Sequence, residues 1–127
     1  MKEIKGKVFT GMGVAREYLE LQPYQDKIEK ETGFRPFPGT LNINSSKEEV
    51  QKVLQNAEAS RIKSFKYRGT EYSGIDIYDA EIKGLKAAVI RMDITDYGPE
   101  IIEVIAEHNL REELGLEDGD EIKIFIH

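Results

Sequence analysis

Arg35-Pro36-Phe37-Pro38-Gly39-Thr40-Leu41-Asn42-Ile43-Asn44 joins a rigid turn to a short strand with one oxygen-bearing edge. Pro36 and Pro38 fix their own φ angles and push the residue before each out of the helical region, so the approach is extended. Gly39 permits a turn or a close backbone approach. Strand side chains alternate, which predicts Thr40, Asn42 and Asn44 on one side and Leu41 and Ile43 on the other. A neutral row of hydroxyl and amide oxygens suits a hard cation such as Mg²⁺, whose charge is balanced by substrate phosphates. A barrel strand with a polar outer face is the plainer reading, and from this stretch alone both stay open.

Upstream, Glu3 to Thr10 reads as a first strand built around Ile4, Val8 and Phe9. It runs into Gly11-Met12-Gly13-Val14-Ala15-Arg16, where two glycines let a backbone approach a phosphate and Arg16 offers a guanidinium fork. An ordinary turn explains the same pair of glycines. Pro23-Tyr24 opens a short helix to about Thr32, and Gly33 stops it.

Downstream, Ser46-Lys47-Glu48-Glu49 is a capping box, with Glu49 expected to reach back to the cap, ahead of a helix whose stripe is Val50, Val53, Leu54 and Ala57. Arg61–Tyr67 and Thr70–Ala80 read as strands meeting near Arg68-Gly69, and Glu81-Ile82 and Leu85–Met92 as strands meeting near Lys83-Gly84. Repeated short strands with glycine turns predict a closed antiparallel barrel, an architecture without vulnerable edges.

After a polar break at Asp93–Gly98, Pro99 sits where a helix begins, and Ile101, Ile102, Val104 and Ile105 make its apolar stripe. Glu103 interrupts that stripe. The spacing does not decide between a solvent-facing carboxylate and one aimed into a cleft, and the usual exposure of glutamate favours solvent. Asn109-Leu110-Arg111-Glu112 caps a further short helix closed by Gly115, and its N-terminus with Arg111 beside it offers an anion seat, or is simply a capped helix. Gly119-Asp120 turns the chain into a last strand with Ile122, Ile124 and Ile126 on one face.

Composition narrows the chemistry. The 127 residues are 39% hydrophobic, enough to bury the core of one domain spanning 1–127. No apolar run is long enough to span a membrane, so a soluble, cytoplasmic chain with no membrane partner is expected. The absence of Cys excludes thiolate zinc sites and a thiol nucleophile, and two histidines, His108 and His127, make a histidine metal cluster or a Ser-His-Asp triad improbable. A formal charge of −6 removes the electrostatic footprint of a nucleic-acid partner. Any anionic ligand must be gripped locally.

The order of these pieces resembles the archaeal CTP-dependent riboflavin kinases over nearly the whole chain. Gly6-Lys7-Val8-Phe9-Thr10-Gly11-Met12-Gly13, Pro38-Gly39-Thr40-Leu41-Asn42-Ile43, Glu100-Ile101-Ile102-Glu103-Val104-Ile105-Ala106, Leu110-Arg111 and Leu116-Glu117-Asp118-Gly119-Asp120 carry the likeness. The Gly-Thr-Leu-Asn element, its most specific part, is also similar to the magnesium motif of ATP-using riboflavin kinases. Ala15 stands where that family commonly has glycine, and Glu107 where proline often follows the alanine.

The resemblance implies a mainly β fold, a six-stranded antiparallel cradle-loop, Greek-key-like barrel with a few short helices. It implies transfer of the γ-phosphoryl group of CTP to the ribityl 5′-hydroxyl of riboflavin, giving FMN and CDP, with Mg²⁺. Carried over, Thr40 and Asn42 hold the metal. Met12, Gly13, Val14, Ala15, Arg16 and Glu17 wrap the nucleotide, and His108, Asn109, Leu110 and Arg111 complete its pocket. Thr95 and Glu103 touch the flavin, and Glu103 is the candidate base, because no suitable His or Cys is present. A monomer is expected. The rival readings are a non-catalytic flavin- or nucleotide-binding barrel and a swapped-hairpin transcription factor, the latter disfavoured by the acidity of the chain.

Overall fold

The computed structural model describes residues 2–127. In chain order the elements are β1 (Lys2–Phe9), α1 (Val14–Leu19), α2 (Gln22–Thr32), β2 (Leu41–Asn44), α3 (Lys47–Leu54), β3 (Ser60–Ile62), β4 (Phe65–Tyr67), β5 (Thr70–Tyr72), β6 (Ile75–Ile82), β7 (Leu85–Met92), β8 (Ile101–Ala106), α4 (Leu110–Glu113) and β9 (Glu121–Ile126). Neighbouring strands run in the order β6-β7-β8-β2-β1-β9, and β9 returns to β6, closing the six-stranded antiparallel barrel that the resemblance implied. The closing seam is short, with Ala80 opposite Ile126 and Glu81 opposite Phe125. β3 extends the sheet beyond β6, and β4 and β5 form a separate two-stranded ribbon.

Alternation along the strands builds two cores rather than one. Inward-facing residues such as Ile4, Val8, Ile43, Val89, Ile102 and Ile124 fill the barrel, and α3 packs Val50, Val53 and Leu54 against them. Outward-facing Ile75, Ile77, Ala88, Ile90 and Ile105 meet Leu19 of α1 and Tyr24 and Ile28 of α2. The ribbon joins this outer layer through aromatic edges, with the Phe65 ring 4.9 Å from that of Tyr24. The Tyr24 hydroxyl donates to the Ser73 carbonyl at 2.6 Å, and burial raises its pKa to about 12.

Residues 101–106 are the main correction to the sequence reading: they form a strand and not a helix begun by Pro99. All six are buried, because β8 lies between the barrel interior and the outer layer and pairs with β7 on one side and β2 on the other. A strand covered on both faces loses its period-2 signature, so the run of β-branched residues mimics a helical stripe. The two long hairpin strands are also each broken. Arg61–Tyr67 divides into β3 and β4, and Thr70–Ala80 into β5 and β6, because the ribbon leaves the barrel to cover α2. Residues 14–19, for which no helix was expected, form α1, which buries Leu19.

The helix caps are largely as expected. Ser46 accepts from the Glu49 N–H at 3.1 Å, yet the Glu49 carboxylate does not reach back to the cap. It accepts instead from the Lys5 N–H and the Ser45 hydroxyl, fastening α3 to β1. Gly33 ends α2 in a left-handed conformation. Among the described residues no helix is long and apolar enough to cross a membrane.

Candidate functional site

Asn42 and Glu103 face each other across the β2–β8 ladder. Both lie on the outer face of the barrel and both are 8% exposed. The Thr40 hydroxyl donates to the Asn42 Oδ1 at 2.8 Å and lies near enough to the Glu103 carboxylate to favour its charged form. Three oxygen-bearing side chains therefore converge where the proline-rich turn enters β2. Asn44, expected in the same row, is exposed at the far end of the strand, so the row shortens to Thr40 and Asn42.

The solvent-facing reading of Glu103 is overturned by the strand itself. On β8 its side chain shares a face with Ile105, beneath the outer layer. Burial raises its pKa above the ordinary carboxylate value, and the Thr40 hydroxyl and the Arg91 charge oppose that rise. Arg91 is half-buried and donates to the carbonyls of Ile101, at 2.7 Å, and Pro99, at 3.2 Å. Desolvation lowers its own pKa, and no carboxylate within salt-bridge distance pairs with it among the described residues. It acts as a fixed positive charge behind Glu103.

Three adjoining clefts meet around this cluster. The first, of about 240 Å³, runs from the turn after β1 to the Thr40–Asn42 pair and is bordered by Gly11, Gly13, Val14, Ala15 and Arg16 and by Asn109 and Arg111. A second, of about 290 Å³, opens between Phe37, Thr40 and the segment His108, Asn109, Leu110 and Arg111. The third, of about 260 Å³, is walled by Arg91, Thr95, Pro99 and Ile101. Glu103 and Tyr97 border both the first and the third. A larger concavity, of about 600 Å³, lies elsewhere, over β1 and β9, among Lys5, Lys7, Lys83 and Lys123. It lacks the convergent oxygens of the Thr40 cluster, so size does not locate the chemistry here.

Not every residue expected at the nucleotide site borders these clefts. The Met12 side chain is 59% exposed, and only its backbone is engaged, its N–H donating to the Tyr97 hydroxyl at 2.9 Å. Glu17 lies on the exposed face of α1 and borders none of the three clefts. Arg16 does border the first cleft, but its Nε is paired with Glu20 at 3.2 Å along the helix. Leu110 contributes its side chain to the barrel core.

The cap of α4 is already satisfied from within. The Asn109 Oδ1 accepts from the Arg111 and Glu112 N–H groups at 3.1 and 3.3 Å. Arg111 reaches across the barrel end: its Nε donates to the Leu116 carbonyl, its Nη1 to the Thr10 hydroxyl and its Nη2 to Asp118. That guanidinium, with the Thr10 hydroxyl, holds the Asp118 carboxyl below its usual pKa. The last turn of the chain thus orients Arg111 rather than touching the cleft.

Sequence reasoning missed Tyr97, Arg91, Phe37 and Asp118. Tyr97 sits inside a polar break that carries no periodic signal, and Arg91 ends a buried run as an apparent solvent cue. Asp118 is separated from Thr10 by 108 positions. Phe37 was legible only as part of the turn.

Among the described residues no group of three or more His, Cys, Asp or Glu side chains could hold a metal. The Thr40 and Asn42 oxygens nonetheless fit a small hard cation. Two adjacent ligands of an octahedral ion with bonds of about 2.05 Å stand about 2.9 Å apart, which these oxygens match at 2.8 Å. The Thr40 hydroxyl spends its proton on the Asn42 Oδ1, so a bound cation would have to replace that hydrogen bond.

A family model named for CTP-dependent riboflavin kinases, and described as "Domain of unknown function DUF120", matches residues 8–126. Among curated proteins, the chain is 40% identical over 121 residues to a riboflavin kinase of Methanocella arvoryzae, covering 95% of this chain and 55% of that protein. It is 36% identical to a riboflavin kinase of Ignicoccus hospitalis, covering 98% of this chain and 70% of the relative. Against a riboflavin kinase of Archaeoglobus fulgidus the identity is 35%, with 96% and 53% covered. The chain therefore spans a little over half the length of two of these relatives and about two thirds of the other.

Proposed function

The chain belongs to the CTP-dependent riboflavin kinase family, and from that premise we propose that it phosphorylates riboflavin, taking the γ-phosphoryl group of CTP and releasing FMN and CDP. The observation that carries the reading is the buried Glu103 carboxylate, set between an oxygen pair suited to a metal–phosphate complex and a separate cleft for an acceptor. Phosphoryl transfer asks a protein mainly for positioning and charge stabilisation, and this arrangement supplies both.

In this mechanism the triphosphate lies along the turn Gly11 to Arg16 and against Asn109 and Arg111, with His108 and Leu110 completing the wall. Thr40 and Asn42 would hold Mg²⁺, which when bound neutralises charge on the β- and γ-phosphates. Riboflavin occupies the cleft of Thr95 and Arg91, with its ribityl hydroxyl toward Glu103. Glu103 accepts the hydroxyl proton as the new O–P bond forms and the bond from the γ-phosphorus to the bridging oxygen breaks, leaving CDP. A carboxylate whose pKa is lifted by burial is a better proton acceptor than an exposed one. The preference for cytosine rests on the family name alone.

The test is direct. The protein is incubated with riboflavin, Mg²⁺ and either CTP or ATP, and FMN is resolved by chromatography. FMN formed with CTP and not with ATP supports the proposal, FMN with ATP alone replaces the donor, and no FMN with either donor refutes kinase activity in favour of a binding module.

A further inference from the structure

Resting on the kinase reading, we propose that Tyr97 is a positioning residue that couples the two substrate clefts, so that filling one tightens the other. The segment between β7 and β8 carries Thr95 and walls the third cleft, while the turn between β1 and α1 walls the first. Tyr97 belongs to one segment and holds the other. Its hydroxyl accepts from the Met12 N–H at 2.9 Å, and its ring stands edge-on to Phe9 with centroids 6.1 Å apart.

The same residue is tied to both ligand-facing sides. The Tyr97 N–H donates to the Thr95 hydroxyl at 3.1 Å, so a ligand that engages Thr95 bears on Tyr97 directly. On the other side, the Tyr97 hydroxyl and the Asn42 amide both crowd the space that a Cβ on Gly11 would take. Gly11, Asn42 and Tyr97 are thus packed on one another, and the phosphate-side turn cannot shift without moving the tyrosine. Coupling of this kind is reciprocal: whatever factor the nucleotide gives to flavin binding, the flavin must return. The hydrogen bond from the Met12 N–H to the Tyr97 hydroxyl is the polar part of that link and sets its size at about 3- to 10-fold.

The experiment titrates FMN into the full chain by flavin fluorescence, with and without saturating CDP and Mg²⁺, in wild type and Tyr97→Phe. Thermal melting of the variant confirms that the ring and its Phe9 contact still fold. In the wild type, CDP should tighten FMN binding about 3- to 10-fold, and FMN should tighten CDP by the same factor. In Tyr97→Phe the coupling factor should fall to about one, whatever the change in the affinity of either ligand alone. A variant that only loosened the structure would weaken both ligands and leave their ratio intact. Coupling that survives in Tyr97→Phe, or wild type that binds both ligands independently, overturns the proposal alone. Wild type that binds neither ligand overturns the kinase reading and the coupling with it.

Discussion

Replacing Gly11 with alanine should disable the site while leaving the barrel standing. A methyl group there would lie 3.1 Å from the Asn42 Cγ and overlap both the Asn42 amide nitrogen and the Tyr97 hydroxyl. The amide nitrogen lies nearer still, and non-bonded heavy atoms prefer about 3.5–4.0 Å, so the amide has to retreat by more than about 1 Å. Asn42 is buried and hydrogen-bonded to Thr40, so the retreat drags the oxygen pair with it. Overpacking of this kind costs about 1–3 kcal/mol of stability, and a misplacement of about 1 Å at reacting groups can cost on the order of 100-fold in turnover. Gly84→Ala is the matched control. Its φ of 79° makes alanine unfavourable by roughly 1–2 kcal/mol, yet nothing lies within 4 Å of the added carbon and the hairpin tip is remote from the clefts. Melting temperatures and FMN formation measured on both variants separate stability from placement: both should melt a few degrees lower, and Gly11→Ala alone should lose turnover. Turnover in Gly11→Ala within about threefold of wild type would show that the reaction does not depend on where Asn42 sits.

Thr40→Val and Asn42→Leu keep the volume and remove the oxygens, so each should lower turnover at least tenfold, with a steeper demand for Mg²⁺ in a titration; wild-type turnover in both would remove the metal assignment. Glu103→Gln should slow turnover and alter stability in a pH-dependent way. Because burial raises the folded pKa of Glu103, its favourable contribution is complete below the unfolded pKa and is lost as pH rises through the folded value. The glutamine variant should therefore gain in relative melting temperature from pH 4 to pH 7.5, and a pH-independent difference would refute the desolvation argument; lost flavin binding with unchanged turnover at saturation would reject the base role. Tyr24→Phe strips the donor from the Ser73 carbonyl and should cost about 1 kcal/mol in urea unfolding with FMN formation intact.

How much of this was legible in the sequence depended on whether a residue's role was local. The Thr-x-Asn row, the cap at Asn109, the end of α2 at Gly33 and the alternation of Ile122, Ile124 and Ile126 are all decided within a few positions, and the structure has them where the sequence put them. β8 failed because its burial on both faces erased the alternation that marks a strand. The glycine pair after β1 predicted a close approach, but only Gly11 makes one, and its partners, Asn42 and Tyr97, come from distant segments. Asp118 and Thr10 meet around Arg111 only once β1 and the turn before β9 are brought together at the barrel end. The resemblance supplied residue roles that spacing could not.

The misreading of β8 and the chemistry of Glu103 have one origin. A carboxylate on a helix at that spacing would lie in water, titrate normally and be a weak proton acceptor. The same carboxylate on a strand buried on both faces is desolvated, and the cost of holding it ionised is what lifts its basicity. The Thr40 hydroxyl and, after it, the Arg91 charge oppose that rise, while the hydrogen bonds of Arg91 go to the carbonyls of Pro99 and Ile101. On the kinase reading, the burial of Glu103 on that face of β8 is what would make it a base, in a chain that lacks Cys and holds two histidines.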